Sequence, residues 1–395
     1  MKHVAVIYHF FPHYREAVLR ELLASPHYDY LLVGDRNDPD GGIKAWDDIP
    51  SKHFLSAPIR KLGSRFYVQS GLIRLALRRD IDAIIFLGNP YFLSTWASAL
   101  CARITGKKVF FWLHGWIQLE SGPKGIIKDS FYRLSHGLLL YGHHAKSIGL
   151  KRGFPQDRLH VIYNSLDYER QKRIRASVIE IELAHLRREL FPNTTELPIV
   201  ICTSRLTSVR RLDLLLEALK VLRDAGWPVN LLLVGDGPER TRLEATASKY
   251  QLSSHFYGSC YDESVLARLI MASNVTVAPG KVGLTAMHSL AYGVPVITHD
   301  DPEDQMPEWE AIQPGKNGDL FLRDDPIDLA RAIRQWTSST KVPQEVQFEC
   351  YRMIDRFYNP QFQRLAIERA LDGLPADDLF YSQGTAGQAG QRLDS

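Results

Sequence analysis

Val277-Ala278-Pro279-Gly280-Lys281-Val282-Gly283-Leu284-Thr285-Ala286-Met287-His288-Ser289-Leu290-Ala291-Tyr292-Gly293-Val294-Pro295-Val296-Ile297 reads as an apolar strand, a glycine-bearing loop, a short helix, a glycine stop and a second apolar strand. This is the layout by which α/β proteins bring backbone N–H groups to a phosphate or a sugar.

Working outward, the alternation continues on both sides. Ile199–Thr203, Asn230–Val234, His255–Tyr257 and Val275–Ala278 read as strands, with helices expected over Leu212–Ala225, Glu239–Lys249 and Ser264–Ala272. Val294–Thr298 is a further strand, followed by helices at Asp328–Trp336, Phe348–Tyr358 and Gln361–Leu371. A separate series precedes it. Val4–Tyr8, Tyr30–Val33, Ala83–Leu87, Val109–Leu113, Gly137–Tyr141 and Leu159–Ile162 are strands; Arg15–Ala24, Tyr67–Arg79, Phe92–Thr105 and a segment ending at Ser130–Leu134 are helices. The charged stretch Tyr168–Leu190 is helical in composition. Strands alternating with helices predict parallel sheets covered on both faces.

Two such series in 395 residues suit two domains. The expected architecture is α/β, with two Rossmann-like domains whose parallel sheets face a central cleft. The first covers residues 1–167 and the second 168–350, with terminal helices over 351–375 and a disordered tail over 376–395, which is poor in apolar residues. Ligands on such sheets bind at the carboxyl ends of the strands.

Composition narrows the function classes. Cys101, Cys202, Cys260 and Cys350 are far apart and form no metal or redox motif, as expected of buried free thiols in a reducing, cytoplasmic compartment. No apolar run approaches the length of a membrane span, and the N-terminal run is too short for a signal peptide. Residues 1–170 carry 23 Lys and Arg against 15 Asp and Glu, a net +8, whereas the remainder carries −5. One reading of that asymmetry is ordinary solvated surface; the sharper one is a face for an anionic membrane or an anionic lipid-linked substrate. Ile59-Arg60-Lys61-Leu62-Gly63-Ser64-Arg65-Phe66-Tyr67, followed by Arg74, Arg78 and Arg79, would suit a peripheral contact of that kind. No nucleic-acid motif is present.

The carboxyl-edge rule sorts the polar residues. His114 follows the Val109–Leu113 strand, so its imidazole is expected near a ligand. Ser204-Arg205-Leu206-Thr207-Ser208-Val209-Arg210-Arg211 follows another strand and places Arg205 and Arg210 ahead of a helix, where cations and helix N–H groups together can hold a diphosphate. Gly235-Asp236-Gly237-Pro238 is a loop that would let a ligand approach the backbone. Asp80-Ile81-Asp82 precedes its strand and reads as a solvated turn, and His143-His144 read as structural, so no metal site is expected.

Taken together, Leu113-His114-Gly115, Val161-Ile162-Tyr163-Asn164-Ser165-Leu166-Asp167, Arg205 with Arg210 before Leu212-Asp213-Leu214-Leu215, Leu233-Val234-Gly235-Asp236-Gly237-Pro238-Glu239, Phe256-Tyr257-Gly258 and the opening stretch resemble a GT-B glycosyltransferase of the family-4-like, group 1 class. The resemblance covers about residues 1–370. It implies a retaining, metal-independent enzyme that takes a nucleotide-diphosphate sugar as donor substrate and needs no cofactor; the favoured acceptor is a glycan or a lipid-linked one at the inner membrane face, which the basic N-terminal half supports. It implies that both terminal helices cross back to the first domain. His114, Arg205 and Arg210 would be catalytic. Asn164, Gly235, Gly237, Tyr257, Gly258, Ser259, Gly280, Lys281, Val282, Gly283, Leu284, Thr285, His288 and Glu308 would bind the donor, with Tyr257 to Cys260 at the base. His13, Tyr14 and Arg15 would shape acceptor binding.

The departures are specific. Where that family usually carries Lys and then Gly, this chain has Arg210 and Arg211; the paired carboxylates of its Glu-x7-Glu pattern fall on Gly280 and His288; and Phe10-Phe11-Pro12-His13-Tyr14-Arg15 stands in place of a glycine pair. Glu308 or Asp304 is expected to replace the missing carboxylate near the sugar, and His288 to hydrogen-bond a ribose hydroxyl. The alternative function is a catalytically silent homologue that binds nucleotide sugar or partner proteins.

Overall fold

The computed structural model describes residues 1–36, 38, 44–339 and 341–375; the tail expected over 376–395 lies outside the described residues. The first series consists of β1 (Lys2–Phe10), α1 (Glu16–Leu23), β2 (Tyr28–Asp35), β3 (Phe54–Ser56), β4 (Ile59–Leu62), β5 (Phe66–Gln69), α2 (Leu72–Ala76), β6 (Ala83–Leu87), α3 (Leu93–Ile104), β7 (Lys108–Leu113), α4 (Gly122–Tyr132), β8 (Gly137–Leu140), α5 (His143–Lys151) and β9 (Leu159–Val161). Seven strands form a parallel sheet in the order β3-β2-β1-β6-β7-β8-β9. β1 lies inside the sheet with both faces covered: Val4, Ala5, Val6 and Ile7 are at most 2 % exposed.

The second series consists of α6 (Tyr168–Ser177), α7 (Glu180–Leu190), β10 (Ile199–Thr203), α8 (Leu212–Asp224), β11 (Asn230–Val234), α9 (Arg240–Lys249), β12 (Ser253–Gly258), α10 (Glu263–Met271), β13 (Val275–Ala278), α11 (Leu284–Ala291), β14 (Val296–His299), β15 (Gly318–Phe321), α12 (Pro326–Trp336) and α13 (Gln344–Arg356); α14 (Pro360–Asp372) ends the described helices. Its parallel sheet runs β12-β11-β10-β13-β14-β15. In each sheet the strand order reverses once, between β1 and β6 and between β10 and β13. At such a switch point the following loops part, leaving a crevice at the carboxyl edge.

The chain divides into two units, Met1–Asp167 with the segment from Pro360 onward, and Tyr168–Asn359. The expectation that both terminal helices return to the first domain is corrected: α13 stays in the second unit and packs on α11, and only α14 joins the first. Arg175 explains the difference. Its guanidinium stacks 4.2 Å from the Tyr351 ring and donates to Asp355 at 3.0 Å, tying α13 to α6.

A helix expected over Tyr67–Arg79 is also corrected. Residues 66–69 are strand β5, which pairs antiparallel with β4 from Ile59↔Gln69 to Leu62↔Phe66. Gly63, at φ 67°, supplies the turn, and Gly71, at φ 79°, delays the helix to Leu72. Phe66-Tyr67-Val68 is a β-prone run, and Tyr67 stacks on Phe92 with centroids 5.1 Å apart. Cys202 and Cys350 are buried, but Cys101 and Cys260 are only half-buried; all four are free thiols.

Candidate functional site

In the second unit the loops after β10 and β13 flank the switch point. The β10 loop carries Arg205, which is exposed, and Arg210. Arg210 donates from Nη1 to the Lys281 carbonyl at 2.9 Å, joining the two loops. Arg211, at φ 51°, occupies the left-handed region that favours glycine, and its guanidinium is held by Asp324. α8 then starts without a side-chain cap, so its first N–H groups face the same edge as the cations.

Each loop glycine has a physical reason. A Cβ on Gly280 would stand 2.6 Å from the Val209 carbonyl oxygen, because the turn carrying Arg210 presses against it. The room a glutamate would need at that position is therefore taken by the Val209–Arg210 backbone. Gly235 and Gly237 approach the chain itself: a Cβ would meet Ser204 O at 1.9 Å and Leu206 O at 2.3 Å respectively. Their expected role, close approach of a ligand, gives way to close packing of the β11 loop on the β10 loop. Gly258, at φ 88°, accepts the Gly235 N–H at 2.8 Å, which places exposed Tyr257 and Ser259 on the same edge.

Several expected donor contacts are already engaged. The Val282 N–H donates to Gln305 Oε1 at 2.8 Å, and Gln305 donates in turn to Thr298 Oγ1 and the His299 carbonyl. Thr285 donates through its hydroxyl to the Thr203 carbonyl at 2.9 Å. Lys281 Nζ lies 2.7 Å from Asp304, which also meets Arg323 at 2.8 Å, so its charge is offset. What stays open on this loop is Gly283 and the uncapped start of α11 at Leu284. Glu308 is 3 % exposed, in a short 3-10 turn packed on α11.

His288 does not stand alone. Its Nδ1 lies 3.3 Å from Glu263 Oε1, which also accepts from the Tyr292 hydroxyl at 2.5 Å and Gln171 Nε2 at 3.1 Å. His288, at a position where the resemblance implies a carboxylate, thus sits against a carboxylate supplied by α10. Glu263 was missed from sequence; the signal was an Asp-Glu pair starting a helix just beyond β12, but nothing local ties it to position 288.

The first unit has its own cluster at the carboxyl edge. Arg15 lies behind β1, Trp112 near the end of β7, His114 just after it, and Tyr141 just after β8. Arg15 donates from Nη2 to the Tyr141 hydroxyl. His114 as a residue is exposed, yet its ring lies edge-on 4.9 Å from Tyr141 and is closely surrounded. That desolvation, with the Arg15 charge second, pushes its pKa down to about 4, so the imidazole is neutral at physiological pH. The expected acceptor trio divides: Arg15 points inward, Tyr14 is half-buried, and exposed His13 bonds the Lys44 carbonyl at 3.1 Å. Asn164 also belongs to this unit, and its Oδ1 accepts from the Ser165 N–H at 3.1 Å. The β4–β5 hairpin and α2 expose Leu62, Phe66, Ile73 and Leu77 among Arg60, Lys61, Arg65 and Arg74. Among the described residues no metal-binding cluster is formed, and no helix is long and apolar enough to cross a membrane.

Residues 187–349 match the family model described as Glycosyl transferases group 1. Over 113 residues, 28 % of this chain, the sequence is 34 % identical to the GDP-mannose-dependent alpha-(1-6)-phosphatidylinositol dimannoside mannosyltransferase of Mycobacterium tuberculosis, matching 29 % of that protein. Over 148 residues, 35 % of this chain, it is 30 % identical to the glycogen synthase of Edwardsiella ictaluri, matching 30 % of it. The matches therefore span under a third of the length of these curated relatives. The fold is that of Anabaena HepE, solved in complex with UDP, at a TM-score of 0.70 and 17 % identity, over 95 % of this chain and 100 % of that one. It is likewise that of the lipopolysaccharide outer core galactosyltransferase WaaB in its apo form, at a TM-score of 0.68 and 15 % identity, over 94 % and 99 %.

Proposed function

We propose that this protein is a retaining glycosyltransferase that moves a sugar from a nucleotide-diphosphate donor to a glycan or lipid-linked acceptor, a reading supported by the match of residues 187–349 to the glycosyl transferases group 1 model and by the GT-B fold. The observation that carries the reading is the pairing of Arg205 and Arg210 with the uncapped N-termini of α8 and α11 at one switch point. A departing nucleoside diphosphate develops negative charge, and positive charge fixed in advance is the largest help available to it. Arg205, exposed, reaches for the diphosphate, and Arg210 holds the two loops in register. In this reading the arginines supply the stabilisation that a metal supplies elsewhere. Gly283 and the start of α11 take the sugar or phosphate, and Tyr257 and Ser259 border the base. The exposed apolar and basic residues of the β4–β5 hairpin and α2 suit a peripheral membrane contact that would bring a lipid-linked acceptor within reach.

Nucleotide release from UDP-, GDP-, ADP- and TDP-sugars, followed with and without lipid-linked glycans, tests the proposal. Acceptor-dependent release is expected from at least one donor, with Arg205→Ala lowering it at least 100-fold in a folded protein. That figure is about 3 kcal/mol of lost stabilisation, on the scale of an oxyanion-hole donor. Near-full activity of Arg205→Ala would sink the diphosphate assignment, and tight donor binding without turnover would favour the silent homologue.

A further inference from the structure

Arg15 is 6 % exposed, and among the described residues no carboxylate pairs with it. Its Nη2 donates to the Tyr141 hydroxyl, but among the described residues Nε and Nη1 meet no acceptor, and neither does the indole N–H of Trp112. Four rings enclose the charge, with centroids 5.1 Å (Tyr8), 5.2 Å (Trp112), 5.4 Å (Tyr141) and 6.0 Å (Tyr14) from Cζ. A buried cation lacking a counter-charge is costly, and aromatic faces offset only part of that cost. Among the described residues they leave the Nε and Nη1 donors unmet. The group is short of an acceptor, and the partner that a guanidinium and an indole N–H both satisfy is an oxyanion. Tyr8, Trp112 and Tyr141 are 7, 1 and 1 % exposed, whereas Tyr14 is half-buried and forms the wall that solvent reaches. The cluster stands at the carboxyl edge of β1, β7 and β8, where a parallel sheet binds its ligands.

We propose that Arg15 and Trp112 receive an oxyanion carried by the acceptor, a phosphate or a sugar carboxylate, with Tyr14 moving aside to admit it. This rests on the reading of the protein as a transferase whose first unit takes the acceptor. The test uses the full chain in 1H–15N spectra, with the Trp112 indole signal assigned by its loss in Trp112→Phe. Inorganic phosphate, glucuronate and UDP are titrated separately. The Trp112 signal is expected to move with phosphate or with glucuronate, and the tighter of the two names the source. Arg15→Met is expected to lose that response while melting, in anion-free buffer, no lower than the unsubstituted protein, because it removes an uncompensated buried cation. A clear fall in melting temperature for Arg15→Met, with no anion response in the unsubstituted protein, overturns the proposal in favour of a cation held only by its rings. A response to UDP alone overturns it in favour of the donor's diphosphate. A protein that transfers sugar but ignores both small anions loses this proposal and keeps its function; one that binds phosphate at Trp112 but no nucleotide sugar loses the transferase reading, and the acceptor assignment with it.

Discussion

Glu263 is the carboxylate that the second unit keeps beside His288. Burial by itself would raise its pKa, but the His288 ring, then the Tyr292 hydroxyl and the Gln171 amide, outweigh burial and hold it down at about 2. Its folded pKa lies below the ordinary 4.5, so the stabilisation is complete above about pH 4.5 and is lost as pH falls through 2. A depression of this size is worth up to roughly 3 kcal/mol. Glu263→Gln should therefore melt below the unsubstituted protein at pH 7, and the gap should narrow as both are acidified from pH 5 to 3. A gap that stays constant over that range would show that the carboxylate's charge is not what the cluster uses. The cluster also holds the ring: His288 Nδ1 lies 3.3 Å from both Glu263 Oε1 and Gln171 Nε2, so a carboxylate from α10 stands behind the one replaced at position 288.

At the scale of loops and helices, the glycines separate packing from ligand approach. Gly235 has φ 142° and its Cβ would overlap Ser204 O, whereas a Cβ on Gly283, at φ −126°, would meet only the Met306 side chain at 3.9 Å. Gly235→Ala is expected to cost at least ~2 kcal/mol of stability, by displacing the loop that bears Arg205. Gly283→Ala should leave the melting temperature within a degree or two, so any tenfold or greater loss of nucleotide affinity there would be steric conflict with the ligand. Differential scanning fluorimetry alongside nucleotide titration distinguishes the two; equal melting temperatures for both variants would refute the assignment. The sequence made the strand–loop–helix order legible because apolar runs such as Leu231-Leu232-Leu233 and the punctuating glycines are local signals. It also led to His114, Arg205 and Arg210, since each follows a strand. It did not show that Gln305 occupies the Val282 N–H, that Asp304 neutralises Lys281, or that Glu263 meets His288. Those contacts join residues from separate loops, and no local pattern encodes them. The β4–β5 hairpin was misread for a related reason: residues 67–79 have helical spacing of apolar positions, but two left-handed glycines and cross-strand pairing override it.

At the scale of the whole chain, one unit is continuous and the other is not. Tyr168–Asn359 is a single segment, while the first unit is completed by a helix from the far end of the sequence. α14 buries Phe362, Ala366, Ile367, Ala370 and Leu371 against α1 and the β8 and β9 strands. Gln363 donates to the Tyr163 carbonyl at 2.6 Å and accepts from the Ser165 hydroxyl at 2.7 Å; Lys108 donates to the Leu371 carbonyl at 2.7 Å and Tyr28 to Asp372 at 2.6 Å. Burial of Phe, Ile and Leu contributes about 1.5–3 kcal/mol each, so the helix supplies several kcal/mol to a unit whose net stability would be about 5–15 kcal/mol. That comparison decides the outcome of dissection. Residues 168–359 expressed alone should unfold cooperatively and bind a nucleoside diphosphate. Residues 1–167 alone should show no cooperative thermal transition, and joining residues 360–375 to them through a Gly/Ser linker should restore one. If residues 1–167 melt cooperatively at the temperature of the linked version, α14 is an appendage rather than part of that unit's core.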